Sequence, residues 1–300
     1  MRERWIDCDG CWIHTVDWEP AAASVGAEPI VLVHGLGGST VNWDLVGPTL
    51  AMALGTRLTA LDLPGFGRTR THDRPASSQV HHELLVELLG AREPGIVIGN
   101  SMGGALGVAI AVSNPELVTR LVLVNAALPR RRGNAEQLDR TAKLATLMLP
   151  IVATPLVRTR APAFGPEGLV DATLGNVLAR PDALDPEVRR RLVALAAERM
   201  QHPGAAPAYA QSGGTLFRYL VGRMTRDLAE VCCPTLVLHG ARDRLVPVDF
   251  ARAAARRRAD WRYVELADIG HAPQLEVPEA MVQAVTGWLE AEHTPIPTGW

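Results

Sequence analysis

Residues 95–112 read GIVIGNSMGGALGVAIAV, a short apolar run, then GNSMGG, then a second apolar run. The first run predicts a buried strand and the second a helix, so Ser101 lies at a sharp strand-to-helix turn. Such a turn crowds the backbone, and glycines two residues to either side, Gly99 and Gly103, relieve the clash. The turn lifts the Ser101 hydroxyl to the carboxyl end of the sheet, while N–H groups of the first helical turn, beginning with Met102, point toward a reacting oxygen.

The same alternation of apolar strand and helix continues on both sides of this turn. A β-hairpin is predicted first, over Arg4–Trp18 with its turn at Asp9-Gly10. Further strands are predicted within 29–35, 57–67, 95–99, 120–127, 234–240 and 262–268, and helices within 41–54, 81–91, 102–113, 248–259 and 278–292. Alternation of this kind predicts a mostly parallel sheet covered by helices on both faces.

The alternation stops in the middle of the chain. Residues 128–228 contain no comparable strand, are rich in Leu, Ala, Arg and Pro, and are expected to form several short helices. We therefore predict an α/β core in two parts, residues 1–127 and 229–300, with a helical insert at 128–228. Part of the insert is apolar (LATLMLPIVATPLV, 144–157), and side chains there that face inward would favour an acyl or aromatic group over a sugar or a peptide.

A serine nucleophile needs a base, and the base needs an orienting acid. His271 directly follows the last predicted strand, and Asp243 follows the strand before it, so both come to the same sheet edge as Ser101. The order Ser, Asp, His is the one expected for this architecture. Asp268 is the competing carboxylate, but it lies only three residues from His271 and is poorly placed to face Nδ1. His239 ends a strand and is expected to be structural.

Acyl transfer also needs donors for the developing oxyanion. The loop HGLGGS (34–39) follows a central strand, and its Leu36 N–H can pair with that of Met102 for this purpose. The residues expected to support the nucleophile turn and this loop are His34, Gly35, Gly37, Gly38, Gly99, Asn100 and Gly103.

Composition narrows the class of protein. The 300 residues are 47% hydrophobic, with 30 basic and 32 acidic side chains, so no concentrated basic surface suggests a nucleic-acid partner. No apolar signal segment and no run long enough to span a bilayer is present, which predicts a cytoplasmic protein without stable membrane insertion. Cys8, Cys11, Cys232 and Cys233 form a poor zinc pattern, so no metal or other cofactor is predicted. The oligomeric state is left open.

The motifs together resemble those of α/β-hydrolase-fold enzymes. They are VHGLGGSTVNW (33–43), LDLPGFGRT (61–69), GNSMGG (99–104), HGARDRLVP (239–247) and GHAPQLEVPE (270–279), in the order the family has them. The resemblance implies a mostly parallel eight-stranded sheet flanked by helices, a cap formed by the insert, and a small-molecule substrate. It also implies a serine hydrolase with Ser101, Asp243 and His271 as the catalytic triad.

The family implies several reactions. Haloalkane dehalogenases and epoxide hydrolases carry aspartate at the nucleophile turn, so Ser101 disfavours both. GNSMGG is similar to the turn of the meta-cleavage-product hydrolases, which split carbon–carbon bonds in ring-opened aromatic acids. Those enzymes usually have HGGGPG where this chain has HGLGGS, and tryptophan where it has Ala272. Both departures favour a carboxylesterase or lipase-like enzyme acting on small to medium apolar acyl or aryl esters.

Two alternatives to ester hydrolysis stay open at the level of sequence. Carbon–carbon hydrolysis needs a cationic anchor for the substrate carboxylate, most naturally an arginine. The insert contains several arginines that could serve, and no spacing marks any one of them as buried. The run 189–191 is typical of a solvated helix face. The candidates are Arg180, Arg189, Arg190, Arg191 and Arg199. The other alternative is a non-catalytic ligand receptor, which an intact nucleophile, base, acid and oxyanion loop disfavours.

Overall fold

The computed structural model describes residues 1–8, 10–24, 26–71, 74–129 and 150–293, with side chains except in 150–163 and 292–293. Its eight strands are β1 (Arg2–Cys8), β2 (Cys11–Trp18), β3 (Ile30–Val33), β4 (Leu58–Leu61), β5 (Gly95–Asn100), β6 (Val118–Val124), β7 (Thr235–Gly240) and β8 (Arg262–Leu266). Among the described residues, the α-helices that flank the sheet, numbered in chain order with those of the insert, are α1 (Gly47–Leu54), α2 (Ser78–Gly90), α3 (Met102–Ser113), α8 (Val248–Arg257), α9 (Pro273–Glu276) and α10 (Pro278–His293).

All eight strands form one sheet in the order β1-β2-β4-β3-β5-β6-β7-β8. The hairpin partners β1 and β2 are antiparallel, as are β2 and β4, and every other pair is parallel. The mostly parallel eight-stranded sheet flanked by helices and the hairpin of β1 and β2 are therefore confirmed, while Asp9 of the predicted turn lies outside the described residues. The central strands β3 to β7 are buried almost throughout, which is why they appear in the sequence as continuous apolar runs.

Helices cover both faces of the sheet. On one face, apolar side chains of α2, α3 and α8 pack against the sheet, and on the other, those of α1 and α10 do. Nine of the twelve residues of α3 are buried, so this helix is enclosed on nearly all sides. A fixed helix at this point holds the end of β5, where Ser101 lies.

Between β6 and β7 the described chain contains helices and loops but no strand. It forms α4 (Pro150–Val177), α5 (Pro186–Met200), α6 (Ala205–Gly222) and α7 (Met224–Glu230). Several helices form here, as expected, but α5 and α6, with 15 and 18 residues, are not short; the 28 residues of α4 are two helices joined by a kink at Gly165, where φ is 64°. A third apolar cluster joins α4 and α5 to core residues Val41, Ala272 and Leu275, so the insert packs on the sheet edge. The boundaries 1–127, 128–228 and 229–300 stay a prediction.

Two details differ from the sequence expectations. Residues 41–54 form a short 3-10 helix, Thr40–Trp43, followed by α1, because Pro48 favours a new helical start. In the apolar stretch 144–157, residues 144–149 and the side chains of 150–157 lie outside the described residues. No helix in the described part of the chain combines the length and apolar character needed to cross a membrane.

Candidate active site

Ser101 lies at the junction between β5 and α3 with φ of 53° and ψ of −114°. A non-glycine residue with positive φ is strained and persists only where its surroundings hold it. Here the Ser101 N–H donates to the carbonyl of Val124 over 3.1 Å. Its own carbonyl accepts from the N–H groups of Ala127, at 2.9 Å, and Ala105, at 3.2 Å. Strand β6 and helix α3 thus fix the strained conformation.

The two glycines of the turn are required by close backbone contacts. A Cβ added at Gly103 would lie 2.1 Å from the carbonyl oxygen of Val33 in β3, and one added at Gly99 would lie 2.4 Å from the carbonyl carbon of Gly103. No real Cβ makes contacts this short. The glycines therefore allow α3 to begin directly against β3 and β5, as the spacing around Ser101 predicts.

His271 and Asp243, predicted as base and acid, are brought together at the carboxyl edge of the sheet. His271 Nδ1 lies 2.7 Å from Asp243 Oδ2, and both side chains are buried. Burial acts to raise the pKa of Asp243. The charge and hydrogen bond of His271, with His239 and Asn125, outweigh burial and hold that pKa below its usual value. The carboxylate thus stays ionised and orients the imidazole.

The Asp243 carboxylate accepts from the backbone N–H groups of Leu245, at 2.8 Å, and Val246, at 2.9 Å, on Oδ1. On Oδ2 it also accepts from the amide of Asn125 at 2.8 Å. His239 Nε2 lies 2.9 Å from the Val246 carbonyl and 3.4 Å from Asp243 Oδ2, which supports the structural position expected for it. Both oxygens of the Asp243 carboxylate are therefore hydrogen-bonded.

Asp268, the competing acid, lies outside this arrangement. Its carboxylate is 68% exposed and pairs with Arg242 at 2.6 Å. An exposed carboxylate held by an arginine at the surface does not orient a buried imidazole. The geometry therefore favours Asp243 over Asp268.

The loop at residues 34–39, predicted to bind the oxyanion, touches the serine turn. A Cβ added at Gly35 would lie 3.0 Å from Ser101 Cβ, and one added at Gly38 would lie 2.9 Å from Asn42 Oδ1; Gly37 has φ of 81°. These three glycines let the loop carrying Leu36 pass directly over Ser101. Met102 is the first residue of α3, so its N–H has no acceptor within that helix.

His34 holds the beginning of this loop. Its Nδ1 donates to the Gly35 carbonyl at 2.7 Å, and its Nε2 accepts from the Leu63 N–H at 3.0 Å. Complete burial lowers the pKa of His34, so the imidazole is neutral, with the tautomer that these two bonds require. His34 therefore supports the loop without facing the reacting atoms.

A cavity of about 1070 Å³ opens over Ser101 and His271, between the sheet edge and the insert. Leu36, Asn100 and the glycines of the oxyanion loop line its floor. Its walls in the described residues are largely aliphatic and aromatic side chains of the insert, chiefly Leu169, Val170, Leu174, Val177, Leu192, Leu195, Tyr209, Leu216, Phe217, Leu220 and Val221. Such a wall suits an apolar group.

Four of the five arginines considered as carboxylate anchors lie outside this wall. Each interacts with a carboxylate elsewhere; the pairs are Arg180–Glu276, Arg189–Asp171, Arg190–Glu187 and Arg191–Asp44. Only Arg199 lines the cavity. Its guanidinium donates to the carbonyls of Gly65, at 2.7 Å, and Gly67, at 3.2 Å, and lies 5.5 Å from the ring centroid of Phe66. It therefore ties α5 to the loop after β4.

Sequence reasoning missed Asn125, which binds Asp243 and also donates to the Gly270 carbonyl at 3.1 Å. Its position directly after β6, at the same sheet edge as Ser101, was the available signal. It also missed what the Asn100 amide does, which is to donate to the carbonyls of Val124 and His271 at 3.0 and 3.1 Å. Within the described residues, no group of three or more His, Cys, Asp or Glu side chains could hold a metal ion.

Comparison with known proteins agrees with this geometry. The model of the alpha/beta hydrolase family matches residues 30–284. The chain is 28% identical over 269 residues to a 2-hydroxy-6-oxo-6-(2'-aminophenyl)hexa-2,4-dienoic acid hydrolase of Metapseudomonas resinovorans, covering 87% of this chain and 84% of that protein. It is 27% identical over 277 residues to an esterase of Mycobacterium tuberculosis, with 88% and 84% covered. A thermophilic esterase from Thermogutta terrifontis shares the fold, with a TM-score of 0.70 and 24% identity, and the match covers 98% of this chain and 100% of that chain.

Proposed function

The chain belongs to the alpha/beta hydrolase family, and from that premise we propose that it is a serine hydrolase of carboxylic esters. Its substrates carry small to medium apolar acyl or aryl groups, and the reaction passes through an acyl-enzyme. Similarity to an esterase of comparable length supports this reaction class. The cavity above Ser101 supports an apolar substrate.

In the proposed mechanism, His271 takes the proton of the Ser101 hydroxyl as its oxygen attacks the ester carbonyl. Asp243 keeps the imidazole oriented and stabilises its charged form. The N–H groups of Leu36 and Met102 bind the oxyanion of the tetrahedral intermediate. The imidazolium then protonates the leaving alkoxide, and water, deprotonated by His271, releases the acid and restores Ser101. Side chains, backbone and water supply every group in this scheme.

The observation that carries the ester proposal is the engagement of Arg199. A dienoate substrate needs a cation for its carboxylate, and Arg199 is the single arginine or lysine that the described residues contribute to the cavity wall. Its guanidinium already donates to two backbone carbonyls, and breaking those bonds would leave buried acceptors without donors. An ester with an apolar acyl group needs no such anchor.

A second candidate is carbon–carbon hydrolysis of the meta-cleavage-product type. The observation in its favour is the similarity to the dienoic acid hydrolase of Metapseudomonas resinovorans. In this reaction the leaving group is a carbanion, so the substrate must first be ketonised, and its carboxylate must be held. The Arg199 guanidinium would then have to give up its hydrogen bonds to the Gly65 and Gly67 carbonyls and donate to the substrate carboxylate instead.

The two candidates are separated by comparing kcat/KM on p-nitrophenyl esters of rising acyl length with kcat/KM on a ring-opened dienoate. We expect hydrolysis of the esters, with little turnover of the dienoate. A preference for the dienoate of about a hundredfold or more, equivalent to about 3 kcal/mol in the transition state, would overturn the ester proposal. The Ser101→Ala variant serves as the control, since it removes turnover of either substrate. Binding of both compounds without turnover would support a receptor.

A further inference from the structure

Glu276 is a completely buried carboxylate that the mechanism above does not use. It ends α9, five residues after His271, and its side chain has 0% exposure. Burying an ionised carboxylate is costly unless hydrogen bonds replace its water. Glu276 accepts three backbone bonds, from Gly270 at 2.9 Å, Ala179 at 3.2 Å and Arg180 at 3.0 Å. The carboxylate also pairs with the Arg180 guanidinium, whose Nε lies 3.8 Å from Glu276 Oε1.

These three donors belong to two different parts of the chain. Gly270 directly precedes His271, whereas Ala179 and Arg180 follow α4 in the insert. One carboxylate therefore holds the loop that carries the predicted base against the end of an insert helix. Removing that carboxylate would take hydrogen bonds away from both segments at once.

A second set of contacts strengthens the same joint. The His271 N–H donates to the carbonyl of Val177, the last residue of α4, over 2.6 Å. A Cβ added at Gly270 would lie 2.5 Å from that carbonyl oxygen and 2.7 Å from Ala179 N. The backbone of the His271 loop therefore lies directly against the insert, at a distance only glycine permits.

The opposite side of the His271 backbone is bound to the serine turn. Its carbonyl accepts from Asn100 Nδ2 at 3.1 Å, and Asn100 directly precedes Ser101. The main chain of His271 is therefore held by the insert through its N–H and by the serine turn through its carbonyl. The separation of imidazole and serine depends on both attachments.

We propose that Glu276 is a positioning residue that couples the insert to His271, so that the imidazole is held for proton transfer only while residues 177–180 are docked. This inference rests on the proposed function, because it takes His271 to be the base for Ser101. Misplacement of a reacting group by about 1 Å costs about a hundredfold in rate. Loss of Glu276 should therefore lower kcat by more than it changes KM, because Val177 is the only one of the released residues 177–180 that lines the cavity.

The principal variant is Glu276→Gln, which keeps the size of the side chain. Its amide nitrogen is a donor and cannot accept from the N–H groups that the carboxylate satisfies. The matched control is Glu279→Gln, an exposed glutamate three residues further on. Glu276→Asp keeps a carboxylate but shortens the side chain by one methylene group. It replaces Glu276→Gln in the experiment if the glutamine variant does not fold.

The experiment measures kcat and KM on p-nitrophenyl butyrate and the rate at which a fluorophosphonate labels Ser101, after thermal unfolding has shown that each variant is folded. The proton between His271 Nδ1 and Asp243, observed by NMR, reports the orientation of the imidazole independently. In Glu276→Gln we expect kcat and labelling to fall by about a hundredfold, KM to stay within about threefold, and the proton signal to weaken. In Glu276→Asp, kcat and the labelling rate should fall by about tenfold or more. In Glu279→Gln, both should match the wild type.

A folded Glu276→Gln or Glu276→Asp protein with wild-type kcat, labelling rate and proton signal would overturn the inference. So would a loss confined to KM, since that would mean a cavity contact. A wild-type protein that neither hydrolyses esters nor reacts with the probe at Ser101 would instead contradict the proposed function, and the inference with it. The two failures are therefore distinguishable.

Discussion

Asp243 Oδ2 lies 2.7 Å from His271 Nδ1, although the two residues are 28 positions apart in the chain. Asp243 follows β7 and His271 follows β8, and these neighbouring parallel strands pair directly. The carboxyl ends of such strands meet at one edge of the sheet, and ligands of open α/β sheets bind there. The same edge carries Ser101 after β5.

We predict that Asp243→Asn lowers kcat by about a thousandfold or more, because the amide cannot hold the imidazole in the required tautomer or stabilise its charge. Steady-state kinetics on a p-nitrophenyl ester measure this, with circular dichroism to check the fold. Asp268→Asn is the matched control, since it removes a surface carboxylate paired with Arg242. If Asp268→Asn lost most of its kcat while Asp243→Asn kept most of it, the acid would have been assigned to the wrong residue.

The serine turn makes a prediction about stability. Gly103→Ala forces a Cβ to within 2.1 Å of the Val33 carbonyl oxygen, so we expect the free energy of unfolding to fall by about 3 kcal/mol or more. Gly175→Ala is the control, because no atom lies within 4 Å of a Cβ at that position in α4. There the better helix propensity of alanine should raise stability by up to about 1 kcal/mol. Urea unfolding of both variants gives the comparison, and equal effects would mean that the packing at Gly103 is looser than described.

Asp44 makes a prediction about pH. Burial raises its pKa to about 6 despite the ion pair with Arg191, and its Oδ1 has no hydrogen-bond donor among the described residues. The folded protein thus holds this proton more tightly than the unfolded chain, whose pKa is about 3.9. The stability contributed by protonated Asp44 is complete below pH 4 and is lost as the pH rises toward 6, a difference of up to about 3 kcal/mol.

The Asp44→Asn variant has no such titration. The difference in unfolding free energy between wild type and variant should therefore change between pH 4 and pH 7, with the wild type losing relative stability as the pH rises. Urea unfolding at several pH values gives this difference directly. A difference that stays constant over the range would mean that the pKa of Asp44 is the same in the folded and the unfolded protein.

The strands, the serine turn and the position of the loops after β7 and β8 could be predicted because each is encoded in a short stretch of sequence. Buried strands are continuous apolar runs, and the spacing of Gly99, Ser101 and Gly103 marks the turn, although the contact that requires Gly103 is with Val33 of β3. The loops after β7 and β8 could be placed at the same edge because parallel strands all end on one side. These inferences needed no knowledge of how distant segments meet.

The rest depends on tertiary contacts that no local pattern encodes. Asn125 reaches Asp243 over 118 positions, and Glu276 reaches Ala179 over 97. The 18-residue length of α6 was also missed, because the prolines of the insert suggested several short helices. Which side chains of the insert face the cavity is likewise decided by how the helices pack and not by their composition.

The most direct test of the central claim is to react the protein with a fluorophosphonate and locate the label by mass spectrometry of its peptides. We expect one label per chain, on the peptide that contains Ser101, with loss of ester hydrolysis in proportion to labelling. A p-nitrophenyl ester in excess should slow the labelling, and the Ser101→Ala variant should take up none. Label on another side chain, or ester hydrolysis that continues after Ser101 is fully labelled, would contradict the claim.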